Sequence, residues 1–350
     1  MIDKLKSNYK IHRWWDGQLP LMMAVIYYEL SCAKKAPNIL LFVGMLLLFL
    51  VGSIGIASFG YLLNDLTDRE EDRKSGASNL LMGFGRKKVA LHFLAVVVLG
   101  LAPWIVLPHP PEVLLLIAVE YGLFLGYSCK PIRLKERGLP GSVFDALYGY
   151  TVPMLVSQYA FAKLAGVQVA LWQSAALAAW SVVLGLRHIL VHQLKDAGND
   201  VLSGTVTTVT KLGWARVMHF TSGKLLKLET GLFIAVCLVL TVHAPFVLAG
   251  FAIYTFWNRY LQLNYSISGT DVLSRMKAPA RLGYWSIKLM SGFHKHWLPL
   301  LMFPTLILKN PIYVLIALLH CNLFENGFRV VFRYELPELK RIRLIWSGVQ

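Results

Sequence analysis

The sequence predicts an all-α fold: a polytopic membrane helical bundle of about nine transmembrane helices, with a cytoplasmic cap over a central cavity. Three observations lead there. Of the 350 residues, 56% are hydrophobic and only 15% charged, and the mean hydropathy is +0.54. A soluble protein of this length carries more charge on its surface. Several windows approach the roughly 20 apolar residues that span a bilayer, and the cations gather in alternate connecting loops.

Taken in order, the apolar segments fall near 18–33, 39–63, 89–107, 111–128, 142–162, 170–192, 228–243, 246–262 and 296–326. The last is open to division, because Pro304 and Pro311 interrupt it and Lys309 is costly in lipid. Lys4, Lys6, Lys10 and Arg13 precede the first segment without a cleavage-site pattern, so it reads as an uncleaved first helix. The four cysteines, Cys32, Cys129, Cys237 and Cys321, are scattered without metal-binding spacing and read as buried thiols.

The formal charge is +16. Its distribution points away from nucleic acid and toward membrane lipid and an anionic substrate. Alternating the segments puts the N-terminus and the loops near 64–88, 129–141, 195–227 and 263–295 on one face. That face carries Arg69, Arg73, Lys74, Arg86, Lys87, Lys88, Arg137, Lys211, Arg216 and Lys224 among others, against Lys34, Lys35 and Lys163 opposite. By the positive-inside rule it is cytoplasmic, which describes an integral protein of the cell (inner) membrane. One domain is expected over 1–350, with related halves at about 18–165 and 166–326 and a basic tail at 327–350.

The chemistry concentrates where two segments end. Asn64 to Gly76 reads NDLTDREEDRKSG, and His192 to Gly204 reads HQLKDAGNDVLSG, with five identities in thirteen positions. Residues four apart share a helix face, so Asn64, Asp68 and Asp72 form one polar stripe and His192, Asp196 and Asp200 another. Asp and Asn supply hard oxygen ligands, and Mg²⁺ bridging such groups to phosphate neutralises a departing diphosphate. Asp68, Asp72, Asp196 and Asp200, with Asn64, are the expected metal ligands and catalytic groups.

A basic element, Tyr127 to Gly138 (YSCKPIRLKERG), follows the fourth segment on the same face. Lys130, Arg133 and Lys135 are suited to phosphate oxygens, Arg bidentately. Together, NDxxDxxxD at Asn64–Asp72, DxxxD at Asp196–Asp200 and YSxxPxRLKxxG at Tyr127–Gly138 resemble the UbiA superfamily of intramembrane prenyltransferases over roughly residues 20–330. The resemblance implies a bundle of about nine helices and Mg²⁺-dependent transfer of a prenyl group from its diphosphate to an acceptor. It implies that Asn64, Asp68, Asp72, Asp196 and Asp200 hold the Mg²⁺-diphosphate, with Tyr127, Lys130 and Arg133 lining that end. Two departures stand out. Gly76 to Leu81 lacks the Lys/Arg-Pro element common after the first motif, with Asn79 a partial substitute, and His192-Gln193 replaces a common Asn or Asp.

Within the segments, Glu29, Glu120, Arg187 and His188 require partners or a wet cavity. Arg187 either points toward the diphosphate or pairs with Glu120. His192 is a metal neighbour, a base for the final proton, or a hydrogen-bonded helix-end residue. Asp145 is positioned to orient Lys130 or Arg133, or to contact an acceptor hydroxyl. The leading function is transfer of a prenyl group from an allylic prenyl diphosphate to an aromatic or other lipophilic acceptor by carbocation chemistry. The alternative is a membrane terpene cyclase acting on a prenyl diphosphate alone. A transporter or scaffold is a third class, disfavoured because the repeated motif lies at the surface with one orientation in both halves.

Overall fold

A computed structural model describes residues 9–76, 78–264 and 286–324. The expected basic tail at 327–350 and much of the 263–295 loop lie outside the described residues. Those described form helices and turns, with no strand. The principal helices are α1 (Leu19–Cys32), α2 (Ile39–Thr67), α3 (Arg86–Leu101), α4 (Pro111–Ser128), α5 (Leu139–Ala146), α6 (Val152–Ala165), α7 (Leu171–Ser203), α8 (Leu226–Leu240), α9 (Pro245–Asn264), α10 (Leu298–Lys309) and α11 (Tyr313–Leu323). Four stretches, Ile39–Thr67, Arg86–Ile105, Pro111–Ser128 and Leu171–Leu202, are long and apolar enough to cross a membrane.

Local chemistry sets the boundaries. The Asn38 side chain accepts from the amides of Leu40 and Leu41 and starts α2. Pro111 opens α4 at a position where a missing N–H costs nothing. Gly166 and Gly204 close α6 and α7 in the left-handed conformation. The expected fifth segment is interrupted: α5 passes into α6 through a π-helical turn at Leu147–Thr151. The final segment divides at Pro311, whereas Pro304 stays inside α10. Lys309 ends α10 by donating to the Ser31 carbonyl of α1, which satisfies an orphan helix-end acceptor.

With lipid outside the bundle, helices associate by close packing and polar contacts rather than by the hydrophobic effect. Leu40, Leu94, Ile253 and Phe256 point outward accordingly. α2 packs along α3 where Gly55 meets the backbone of Gly100, and along α4 where Gly60 meets the Phe124 ring. Gly185 of α7 lies against Ala146 of α5. A buried ion pair links α7 to α8. Arg187 and Glu229 are both fully buried; the guanidinium contacts both carboxylate oxygens, Nη2 donating to Oε1 at 2.9 Å. Arg187 Nη1 also donates to Ser291 Oγ at 2.8 Å, and His294 Nδ1 lies 3.4 Å from Glu229. Arg187 therefore pairs with Glu229, not with Glu120.

Two predictions follow from this packing. A Cβ at position 55 would lie 2.2 Å from the Gly100 amide nitrogen, whereas one at position 44 meets nothing within 4 Å. Gly55→Ala is expected to lower stability by about 1–3 kcal/mol, and Gly44→Ala to leave it unchanged, in thermal melts of detergent-solubilised protein. Glu229→Leu strands a buried guanidinium and is expected to cost about 3–5 kcal/mol, most of it recovered in the double variant Arg187→Met/Glu229→Leu.

Candidate active site

At the motif-bearing end, the loop after α4 folds back over the end of α2. Arg133, only 6% exposed, contacts Glu136 through Nε, the Thr67 carbonyl through Nη1 at 3.2 Å, and Asp68 (3.1 Å) and Glu71 (2.9 Å) through Nη2. Burial alone would lower its pKa; the carboxylates of Glu136, Glu71 and Asp68 outweigh this and hold it above the ordinary value. Lys135 binds the same Asp68 oxygen, Oδ1. Asn79 donates to Asp72 Oδ2 at 2.7 Å and to the Asp65 carbonyl at 2.6 Å. Asp65 is buried, takes Lys10 as its ion partner and accepts from the Leu80 amide. Asn79 thus clamps a turn rather than replacing a cation.

The two motifs differ in how their stripes survive. α2 stops at Thr67, and Asp68 leaves helical geometry at φ −101°, ψ 5° before a short helix at Arg69–Ser75. Asn64, Asp68 and Asp72 therefore do not lie on one regular helix, although the Asp68 amide still donates to the Asn64 carbonyl at 2.9 Å. α7 continues unbroken to Ser203, so His192, Asp196 and Asp200 keep their shared face. His192 Nδ1 lies 2.8 Å from Asp196 Oδ2. Gln193, one residue on, donates to Ser142 Oγ and accepts from the Thr208 amide, which ties α7 to α5 and to the following turn.

Below this rim opens a cavity of about 1240 Å³. Asn64, Tyr127, His192 and Asp196 border it, so four of the expected residues from three sequence elements meet at one space. Ser128 donates to Asn64 Oδ1 at 2.6 Å, joining α2 to α4 at its mouth. Asp145 borders it too, accepting from Tyr148 at 2.6 Å. Asp68, Asp72, Asp200, Lys130, Arg133 and Lys135 are not part of its lining, and neither is Arg187. Lys130 is exposed, and Asp200 lies one turn beyond Asp196 beside Thr207. The deeper walls are apolar and aromatic: Met22, Phe49, Ile56, Trp104, Phe124 and Val156.

Several bordering residues were not singled out from sequence as site residues: Ser128, Lys195, Lys288, Lys295 and His296. By sequence Lys288 and Lys295 fall in a loop, because the apolar run begins at 296. A signal was present in their spacing, since Lys288, Ser291 and Lys295 are three and four residues apart and share a helix face.

Among the described residues, no three His, Cys, Asp or Glu side chains converge as a cage for a metal ion. The donors at the mouth are nevertheless hard oxygens. Asp196 is one, and Asn64 Oδ1 keeps a second lone pair beside its bond from Ser128. Such a set suits Mg²⁺, which retains waters and takes one or two carboxylates with substrate phosphates rather than a complete protein shell.

The profile of the UbiA prenyltransferase family matches residues 22–278. The fold is similar to a UbiA homolog from Archaeoglobus fulgidus bound to GPP and Mg²⁺, at TM-score 0.54 and 16% identity over 86% of this chain and 98% of that one. It is also similar to a UbiA homolog from Aeropyrum pernix K1 (TM-score 0.54, 14% identity, 83% and 96% coverage). A structure of digeranylgeranylglyceryl phosphate synthase is a third likeness (TM-score 0.52, 17% identity, 88% and 98% coverage). No curated protein matches at the sequence level. With its helical bundle, its paired motifs at one cavity and a profile match over most of its length, the chain belongs to the UbiA prenyltransferase family.

Proposed function

We propose that this protein is an Mg²⁺-dependent intramembrane prenyltransferase that moves a prenyl group from an allylic prenyl diphosphate to a lipophilic or aromatic acceptor. The observation that carries this reading is the cavity itself. Hard oxygen donors from two separate motifs border its mouth, three lysines line it too, and the other walls are apolar and aromatic. The Archaeoglobus homologs bound to GPP or DMAPP with Mg²⁺ support the same substrate class. By the distribution of Lys and Arg, the mouth opens toward the cytoplasm, at the inner membrane of the cell.

The metal would be held by Asn64 and Asp196, with Asp68, Asp72 and Asp200 adjoining them at the same end. When bound, Mg²⁺ neutralises charge that develops on the leaving diphosphate. Lys295, Lys288 and Lys195 supply further positive charge to its oxygens. As the C1–O bond breaks, its electron pair leaves with the diphosphate. Walls such as Phe124 and Tyr148 exclude water, which would otherwise capture the cation, and present aromatic faces to it. Rim residues Arg133 and Lys135 act by holding Asp68 and the end of α2, and Tyr127 packs on Tyr148 at the wall.

Asp196→Ala is expected to reduce Mg²⁺-dependent diphosphate release from geranyl diphosphate by about 10²-fold or more, assayed in purified protein with and without an aromatic acceptor. Unchanged release would overturn the mechanism. Release without acceptor, accompanied by a hydrocarbon or terpene alcohol, would assign the chain to the cyclase reading instead.

A further inference from the structure

Glu120 is the anomaly of the cavity. It is 5% exposed, borders the chamber, and makes no hydrogen bond or ion pair with any described residue. An unpartnered carboxyl in a low-dielectric site costs several kcal/mol unless a ligand or water meets it. Arg187, the cation expected to serve it, is committed to Glu229.

The depth of Glu120 follows from the helices. α2 and α4 run side by side in the same direction, joined at Asn64–Ser128 and again at Gly60–Phe124. At 1.5 Å per residue, Glu120 lies about 12 Å below Ser128 along α4. A diphosphate seated at Asn64 and Asp196 fills the upper part of that distance. Glu120 then stands at the level of a molecule approaching C1, not at the level of phosphate.

We propose that Glu120 binds the hydroxyl group of the lipophilic acceptor. A hydroxyl donates to a carboxyl oxygen without bringing a charge into the chamber. An ammonium would add a cation to a chamber that Lys195, Lys288 and Lys295 already border. Naming the bound molecule as acceptor rests on the prenyl-transfer reading; the affinity for a hydroxyl does not, and it is measured without Mg²⁺ or diphosphate.

The test uses full-length protein in detergent with 4-nonylphenol, its methyl ether 4-nonylanisole, nonylbenzene and nonylamine, followed by calorimetry. The phenol is expected to bind about tenfold tighter than nonylbenzene, as one buried hydrogen bond provides, and tighter than the anisole by a similar factor. Glu120→Leu is expected to abolish the preference while keeping nonylbenzene affinity. Equal binding of phenol and anisole to the unaltered protein would overturn the proposal without recourse to any variant. So would a preference that survives Glu120→Leu, or nonylamine binding tightest in a Glu120-dependent way. A hydroxyl preference in protein that never releases diphosphate would refute the prenyl-transfer reading alone.

Discussion

The motif-bearing end depends on the guanidinium of Arg133. It arrives from the loop after α4 and grips the end of α2 through Asp68, Glu71 and the Thr67 carbonyl while also holding its own neighbour Glu136. Its backbone sits in the left-handed region at φ +38°, which costs a non-glycine residue about 1–2 kcal/mol. Several charge-assisted bonds offset that cost. A lysine, with a compact charge in place of a planar fork, does not span the same partners. Because the brace fixes the ends of α2 and α4 together, Asn64 and Ser128 stay in register at the mouth below it.

That brace divides the acidic residues by task. Neighbours on a helix point about 100° apart, and Asn64 and Asp65 show the effect: one borders the cavity, the other is buried against Lys10. Asp68 and Glu71 face the Arg133 side, and Asp72 faces Asn79. The densest acidic stretch of the chain therefore contributes mostly to closing the rim. The sparser second motif, on an unbroken helix, brings Asp196 to the cavity.

Much of this was legible in the sequence. Apolar run length located the first helices to within a few residues, and the motifs led to one cavity because both terminate long apolar segments on the same face. The missing parts have physical causes. The junction at Asp68 carries no glycine or proline, so nothing in the local chemistry announces that α2 ends there. Arg187 could be recognised as costly but not assigned a partner, since Glu229 is 42 residues away and meets it only when α7 packs on α8. The π-helical turns at Leu147–Thr151 and Phe293–Trp297 shift side-chain register in ways that a 3.6-residue count does not follow.

The charges around the cavity explain why a divalent ion belongs to the proposed reaction. Among the described lining residues, Lys195, Lys288 and Lys295 accompany the carboxyl groups of Asp145 and Asp196, together with His188, His192 and His296. A diphosphate entering alone would gain from the lysines and lose a comparable amount to the carboxylates, most severely at Asp196 beside the mouth. An ion shared between Asp196, Asn64 and phosphate oxygens reverses the sign of that contact without altering the lysine side. The anion is then attracted by the ion as well as by the lysines, while Glu120, deeper along α4, is left for an uncharged polar group.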